Sequence, residues 1–146
     1  MGRKRLPKLI RQTLAERANK RCEYCQSRSD CACESFEGGH VEPFAAGGSD
    51  DLGNLAHSCR GCNSRMSDRT HAADPATGFI VPFFHPRKDR WKDHFAWDED
   101  YLNIIGLTPT GRATVEALQL NREGVVNLRK LMKLGGIHPP SAEEEG

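Results

Sequence analysis

The chain has 146 residues, 37% hydrophobic and 28% charged, with a mean hydropathy of −0.65 and a formal net charge of +1. That length points to one domain with a modest core, which a structural metal would help to stabilise. No apolar run approaches the roughly 20 residues of a membrane span, and no apolar stretch backs the basic start as a secretory signal would, so a cytoplasmic protein without a membrane partner is expected.

The charge is unevenly spread. Residues 1–21 hold eight Lys/Arg against Glu16 alone, a balance of +7, while the last residues carry Glu143, Glu144 and Glu145. A basic front on a near-neutral body fits a polyanion partner, or else a solvated helix face.

"LPKLIRQTLAERANKRCEYC" reads as a helix. Leu9, Ile10, Leu14 and Ala18 recur at helical spacing, Pro7 suits the start and Asn19 a left-handed stop. Cys22 and Cys25 follow in a tight knuckle. After a polar loop, "SFEGGHVEP" predicts a short strand around 35–41. "FAAGGSDDLGN" is a loop with turn freedom at Gly47 and Gly48. "NLAHSC" returns as a second strand or turn into a second knuckle, and a helix begins near Asn63.

Past residue 74 aromatics and prolines increase. "HFAW", "DED" and "YLNIIGL" predict a hairpin with Trp91, Phe95 and Trp97 in its core. Thr110 is expected to cap one helix running to about Gln119. Asn121 is expected to cap another, buried through Val125, Val126, Leu128, Leu131 and Met132 and ended by Gly135 and Gly136.

Six cysteines are present. Cys22-x-x-Cys25 and Cys59-x-x-Cys62 read as four zinc ligands rather than disulfides, because CxxC lets two sulfurs of one tight turn reach one ion and a reducing compartment disfavours disulfides. Four protein ligands leave no open position, so this zinc is structural. Cys31 and Cys33 read as loop thiols, although either could replace one of the four ligands or serve a redox sensor. Between the knuckles stands His40, whose imidazole can take a proton from water near neutral pH. Arg112 and Arg122 near helix starts are open between phosphate contact and internal pairing.

The stretch "RCEYC…FEGGHVEPFAAGGSDDLGNLAHSCRGCN" resembles the HNH endonuclease family: CxxC, an acid or His followed by His, then P, GG, NL and CxxC followed by Asn or His. Residues 80–138 also resemble the C-terminal extension of a bacterial subgroup. The resemblance implies an α+β fold: a zinc-clamped ββα-metal core, an N-terminal helix, and a C-terminal hairpin plus two helices. The core would cover about 20–72, the extension about 74–138 and an acidic tail 139–146, all in one domain.

The implied activity is metal-dependent DNA cleavage. His40 matches the general base that activates water, Asn54 the residue that pins the loop and orients that His, and Asn63 the helix position facing a divalent metal, commonly Mg²⁺. Cys22, Cys25, Cys59 and Cys62 match the zinc clamp. Arg60, Arg65 and Arg69 flank the helix start and could meet DNA phosphates. The departure is Gly39, where the pattern has a metal-ligating Asp, Glu or His. Glu37, two residues back on the same strand face, is the candidate substitute; Glu42, Asp50 and His57 are further options that the sequence does not position. The competing reading is an impaired HNH-like zinc module that binds nucleic acid without cutting it. No feature specifies an oligomeric state.

Overall fold

A computed structural model describes residues 6–141. Arg3, Lys4 and Arg5 of the basic front and Glu143–Glu145 of the acidic tail lie outside them. Helix α1 spans Lys8–Arg17, entered from Pro7 at φ −55°. It ends where Asn19 and Lys20 adopt φ 54° and 61°, a left-handed turn that asparagine tolerates. Leu14 is its buried residue, with Ile10 and Ala18 half-buried on the same stripe. Leu9 departs from the expectation at 72% exposure, because a neighbour of Ile10 points about 100° round the helix from that stripe.

Part of the basic front works inside the fold. Arg17 donates to the carbonyls of Leu52 and Leu55, and Arg21, 2% exposed, to those of Gln26 and Ile137.

Strand β1, Glu37–His40, pairs antiparallel with β2, Leu55–Ser58, in the register Glu37↔Ser58, Gly38↔His57, Gly39↔Ala56, His40↔Leu55. Helix α2, Arg60–Met66, follows directly. Alternation along β1 divides its neighbours: Gly38 faces Leu14 of α1, and Gly39 faces Asn63 of α2. This is the expected ββα unit, within an α+β fold.

Beyond it, β3 (His71–Ala73) and β4 (Ile80–Pro82) form a hairpin that the proline-rich sequence concealed. Helix α3 spans Trp91–His94, and β5 (Phe95–Trp97) pairs with β6 (Ile104–Gly106) as the expected hairpin. Helix α4 runs Pro109–Leu118 and α5 Glu123–Leu134. Three details correct the sequence reading. Thr108 caps α4, its Oγ1 accepting from the Gly111 N–H at 2.9 Å, while Thr110 lies in the first turn, because Pro109 fits the first helical position. Asn121 does not cap α5; its amide bonds both backbone groups of Ile104 and so satisfies the edge of β6. On α5 the buried residues are Val125, Arg129 and Met132, while Leu131 is 66% exposed.

The core gathers around the clamp. Cys22, Cys25 and Cys62 belong to one buried cluster with Tyr24, Phe84, Trp91, Phe95, Ile104, Leu118 and Val125, so the C-terminal extension supplies much of the apolar wall. Among the described residues no helix is long and apolar enough to cross a membrane.

Candidate active site and metal clamp

The first knuckle is closed by backbone bonds from Cys22 N to Ser27 O and from Gln26 N to Cys22 O, with Gln26 at φ 67°. It is tied to β2 by Glu23, whose N–H donates to His57 O and whose carboxylate accepts from His57 N–H. The same carboxylate pairs with Arg87. The second knuckle is the start of α2, where the Cys59 sulfur accepts from the Cys62 N–H at 3.4 Å. Cys25 N–H points likewise at the Cys22 sulfur at 3.5 Å.

These turns bring the four sulfurs of Cys22, Cys25, Cys59 and Cys62 within 4.8 Å of one another, with Cys25 and Cys59 3.7 Å apart. In a tetrahedral site with Zn–S bonds of about 2.3 Å the sulfurs stand about 3.8 Å apart, so donor set and spacing both fit structural zinc. Cys31 and Cys33 are exposed and outside the cluster.

On the other side of α2, Asn63 covers Gly39. A Cβ on Gly39 would lie 2.7 Å from Asn63 Oδ1. The glycine therefore opens the space in which the asparagine amide sits. His40, the last residue of β1, is half-buried, and its Nε2 lies 2.7 Å from Asp50 Oδ1. Asp50 comes from the loop between the strands. Asn54 holds that loop: its Oδ1 accepts from Glu42 N–H at 2.8 Å, and its Nδ2 donates to the carbonyls of Glu42 and Ser49 at 3.1 and 2.8 Å. Gly48 is packed against this knot, since a Cβ there would meet Glu42 O at 1.9 Å.

Glu37, on the same strand as Gly39, lies 3.6 Å from Arg60 Nε. His57 is 6% exposed, packed on Phe36 with ring centroids 4.8 Å apart, and burial lowers its pKa to about 4. Among the described residues the four cysteines are the one group of three or more Cys, His or acidic donors gathered for a metal. At the Gly39 position the polar group at hand is the Asn63 amide oxygen.

The arginines around α2 are engaged. Arg60 pairs with Glu34 at 2.7 Å, Arg65 donates to Gly61 O, and Arg69 donates to Arg65 O and lies over the Phe83 ring. Both arginines near later helix starts pair internally: Arg112 with Asp74 through two bonds of 2.9 Å, and Arg122 with the Cys59 and Cys62 sulfurs. The sequence reading missed Arg129 altogether, a fully buried cation on an otherwise amphipathic helix. It also left Asp50 unplaced. No local signal could have found either, because both partners lie in other segments.

The model of one family, described as HNH endonuclease, matches residues 22–69. The match begins at the first cysteine of the clamp and includes β1, β2 and α2; residues 80–138 lie outside it. No curated protein and no solved structure matches the chain.

Proposed function

We propose that residues 22–69, which match the HNH endonuclease family, form the catalytic unit of a DNA endonuclease that hydrolyses phosphodiester bonds with His40 as general base. The observation that carries this reading is the His40–Asp50 pair at 2.7 Å, held at the end of β1 beside the Gly39–Asn63 contact. The bond between Nε2 and the Asp50 carboxylate orients the imidazole as a proton acceptor for water. A water proton passes to the His40 imidazole as the water oxygen attacks phosphorus. The ester P–O bond to the leaving oxygen breaks, and that oxygen takes up a proton from solvent water. The Asp50 carboxylate faces the imidazolium that forms, so its charge is stabilised where it develops.

Asn54 keeps the loop, and with it Asp50, in register with His40. Asn63 would hold a divalent ion through its amide oxygen; when bound, such an ion supplies positive charge for the phosphate and the leaving oxygen. Arg60, with a 59% exposed side chain, is the first candidate among Arg60, Arg65 and Arg69 for a DNA phosphate, which would take over from Glu34 and Glu37. Binding of that kind weakens steeply with salt.

Gly39 favours the second reading, a zinc module that binds nucleic acid without cutting, because the strand offers no metal donor there. The deciding experiment is cleavage of supercoiled plasmid with Mg²⁺, Mn²⁺ or chelator, comparing the protein with His40→Ala. Metal-supported nicking that His40→Ala abolishes upholds the nuclease. Retained DNA binding without cleavage under any metal establishes the binding module instead.

A further inference from the structure

Four thiolates around Zn²⁺ carry a net charge of −2, and the cluster stands within the apolar core. A buried dianion is costly unless cations or hydrogen bonds face it. The knuckle N–H groups supply only partial charge. Among the described residues two arginines of the C-terminal extension lie beside the cluster.

Arg122, the residue before α5, sends Nη2 to within 3.4 Å of Cys59 Sγ and Nη1 to within 3.6 Å of Cys62 Sγ. Its orientation is set by the last carbonyls of α4, since Nη1 also donates to Leu118 O and Gln119 O at 3.2 Å. Gly61, between the two cysteines, makes room: a Cβ there would stand 2.5 Å from Arg122 Nη2.

Arg129, about two turns further along on α5, is 0% exposed. No carboxylate pairs with it among the described residues. It donates to the carbonyls of Cys25, Leu120 and Leu102, and its guanidinium lies over the Trp97 ring at 5.1 Å. Burial lowers its pKa to about 10. The bond to Cys25 O grips the knuckle that presents Cys22 and Cys25.

Cys59 is the half-exposed member of the clamp, and it lines a surface groove with Cys33, Arg60, Gly61 and Arg122. The Arg122 guanidinium therefore lies against the sulfur most open to protonation, chelators and electrophiles.

We propose that Arg122 and Arg129 are the counter-charge of the zinc–tetrathiolate centre, and that Arg122 in particular holds the Cys59 and Cys62 thiolates on the metal. The extension thereby completes a metal site whose four ligands all lie in the 22–69 segment. This does not depend on whether the chain cuts DNA.

The test is metal binding by the full chain. Zinc content of the purified protein is measured first, followed by zinc affinity by chelator competition and the sulfur-to-metal charge-transfer band of the Co²⁺ form. Arg122→Gln is expected to weaken affinity about tenfold or more and to shift that band; Arg122→Lys, which keeps the charge but cannot span two sulfurs, is expected between Arg122→Gln and the parent. Affinity within twofold of the parent and an unmoved band in Arg122→Gln overturn the proposal, as does a parent that binds no zinc. Should Arg122→Gln fail to fold, Arg122→Lys decides: threefold weaker binding or more supports the proposal, and unchanged binding overturns it.

Discussion

The amide oxygen of Asn63 on α2 occupies the space that a side chain at Gly39 on β1 would fill, 2.7 Å from the position of the missing Cβ. The glycine and the asparagine are thus one feature. The strand presents no side chain at this point, and the Asn63 amide fills the space. Gly39→Ala tests the pair. The obstacle is the end of a flexible side chain, so Asn63 can swing aside, and alanine in a strand relieves about 0.5–1 kcal/mol of glycine's conformational cost. Folding stability is expected to stay within about 1 kcal/mol of the parent, while metal-supported plasmid cleavage falls tenfold or more. Unchanged cleavage would show that the position of Asn63 is immaterial.

Asp50 is expected to act through His40. Asp50→Ala removes the acceptor of His40 Nε2 and should lower the turnover rate by about 10²-fold with little change in KM for DNA. Asp50→Asn keeps an acceptor oxygen without the charge, so it should retain more activity than alanine. A rise in KM at constant turnover would instead make Asp50 a binding residue.

Asn54 makes three hydrogen bonds that close the loop from Glu42 to Ser49. Losing them in Asn54→Ala should cost about 1–3 kcal/mol in urea unfolding, because two carbonyls and one N–H lose their partner at once. Asn54→Asp should fare no better, since its carboxylate would face the carbonyls of Glu42 and Ser49. An Asn54→Asp protein as stable as the parent would rule out the pinning role.

His57 makes stability depend on pH. Its folded pKa of about 4 lies below the usual imidazole value of 6.5, because burial disfavours the imidazolium. Between those values the unfolded chain binds a proton that the folded chain refuses, so stability falls as the pH drops from 6.5 toward 4, by on the order of 2 kcal/mol. His57→Phe, which can still pack on Phe36, should flatten this part of the curve. Its Nε2 has no hydrogen-bond partner among the described residues, so the substitution removes no bond there. Denaturant titrations at several pH values across that window would reveal an unchanged slope if another group is responsible.

Asp74 and Arg112 lock the β3–β4 hairpin to α4. The Arg112 guanidinium, with the Ala76 N–H and the Thr77 hydroxyl, holds the Asp74 carboxyl well below the usual carboxylate range. The sign is opposite in origin to that of His57 but the same in direction. The contribution is present above the unfolded carboxylate pKa of about 3.9 and is lost as the pH falls below it. Asp74→Asn should lower the urea midpoint at neutral pH and shrink the loss on acidification. Equal acid sensitivity of the two proteins would assign that loss elsewhere.

Much of this molecule was legible one residue at a time. The two CxxC pairs, the helix start at Pro7, the left-handed stop at Asn19 and the short paired strands around His40 follow from local rules of turn geometry, side-chain alternation and metal-donor chemistry, which act over a few residues. Where such signals are blurred by proline and aromatics, as in β3 and β4, or where two adjacent threonine caps compete, as at Thr108 and Thr110, local reading misplaced or missed the element. The relationships that matter most to the site were of another kind. Asp50, ten residues along the chain, reaches back to His40, Asn63 fills the gap at Gly39 from the next helix, and Arg122 and Arg129 come from the far end of the chain to face the clamp. A charge written in a sequence carries no mark of its partner. Only the packing of α2, α4 and α5 around the cysteines decides which charges meet.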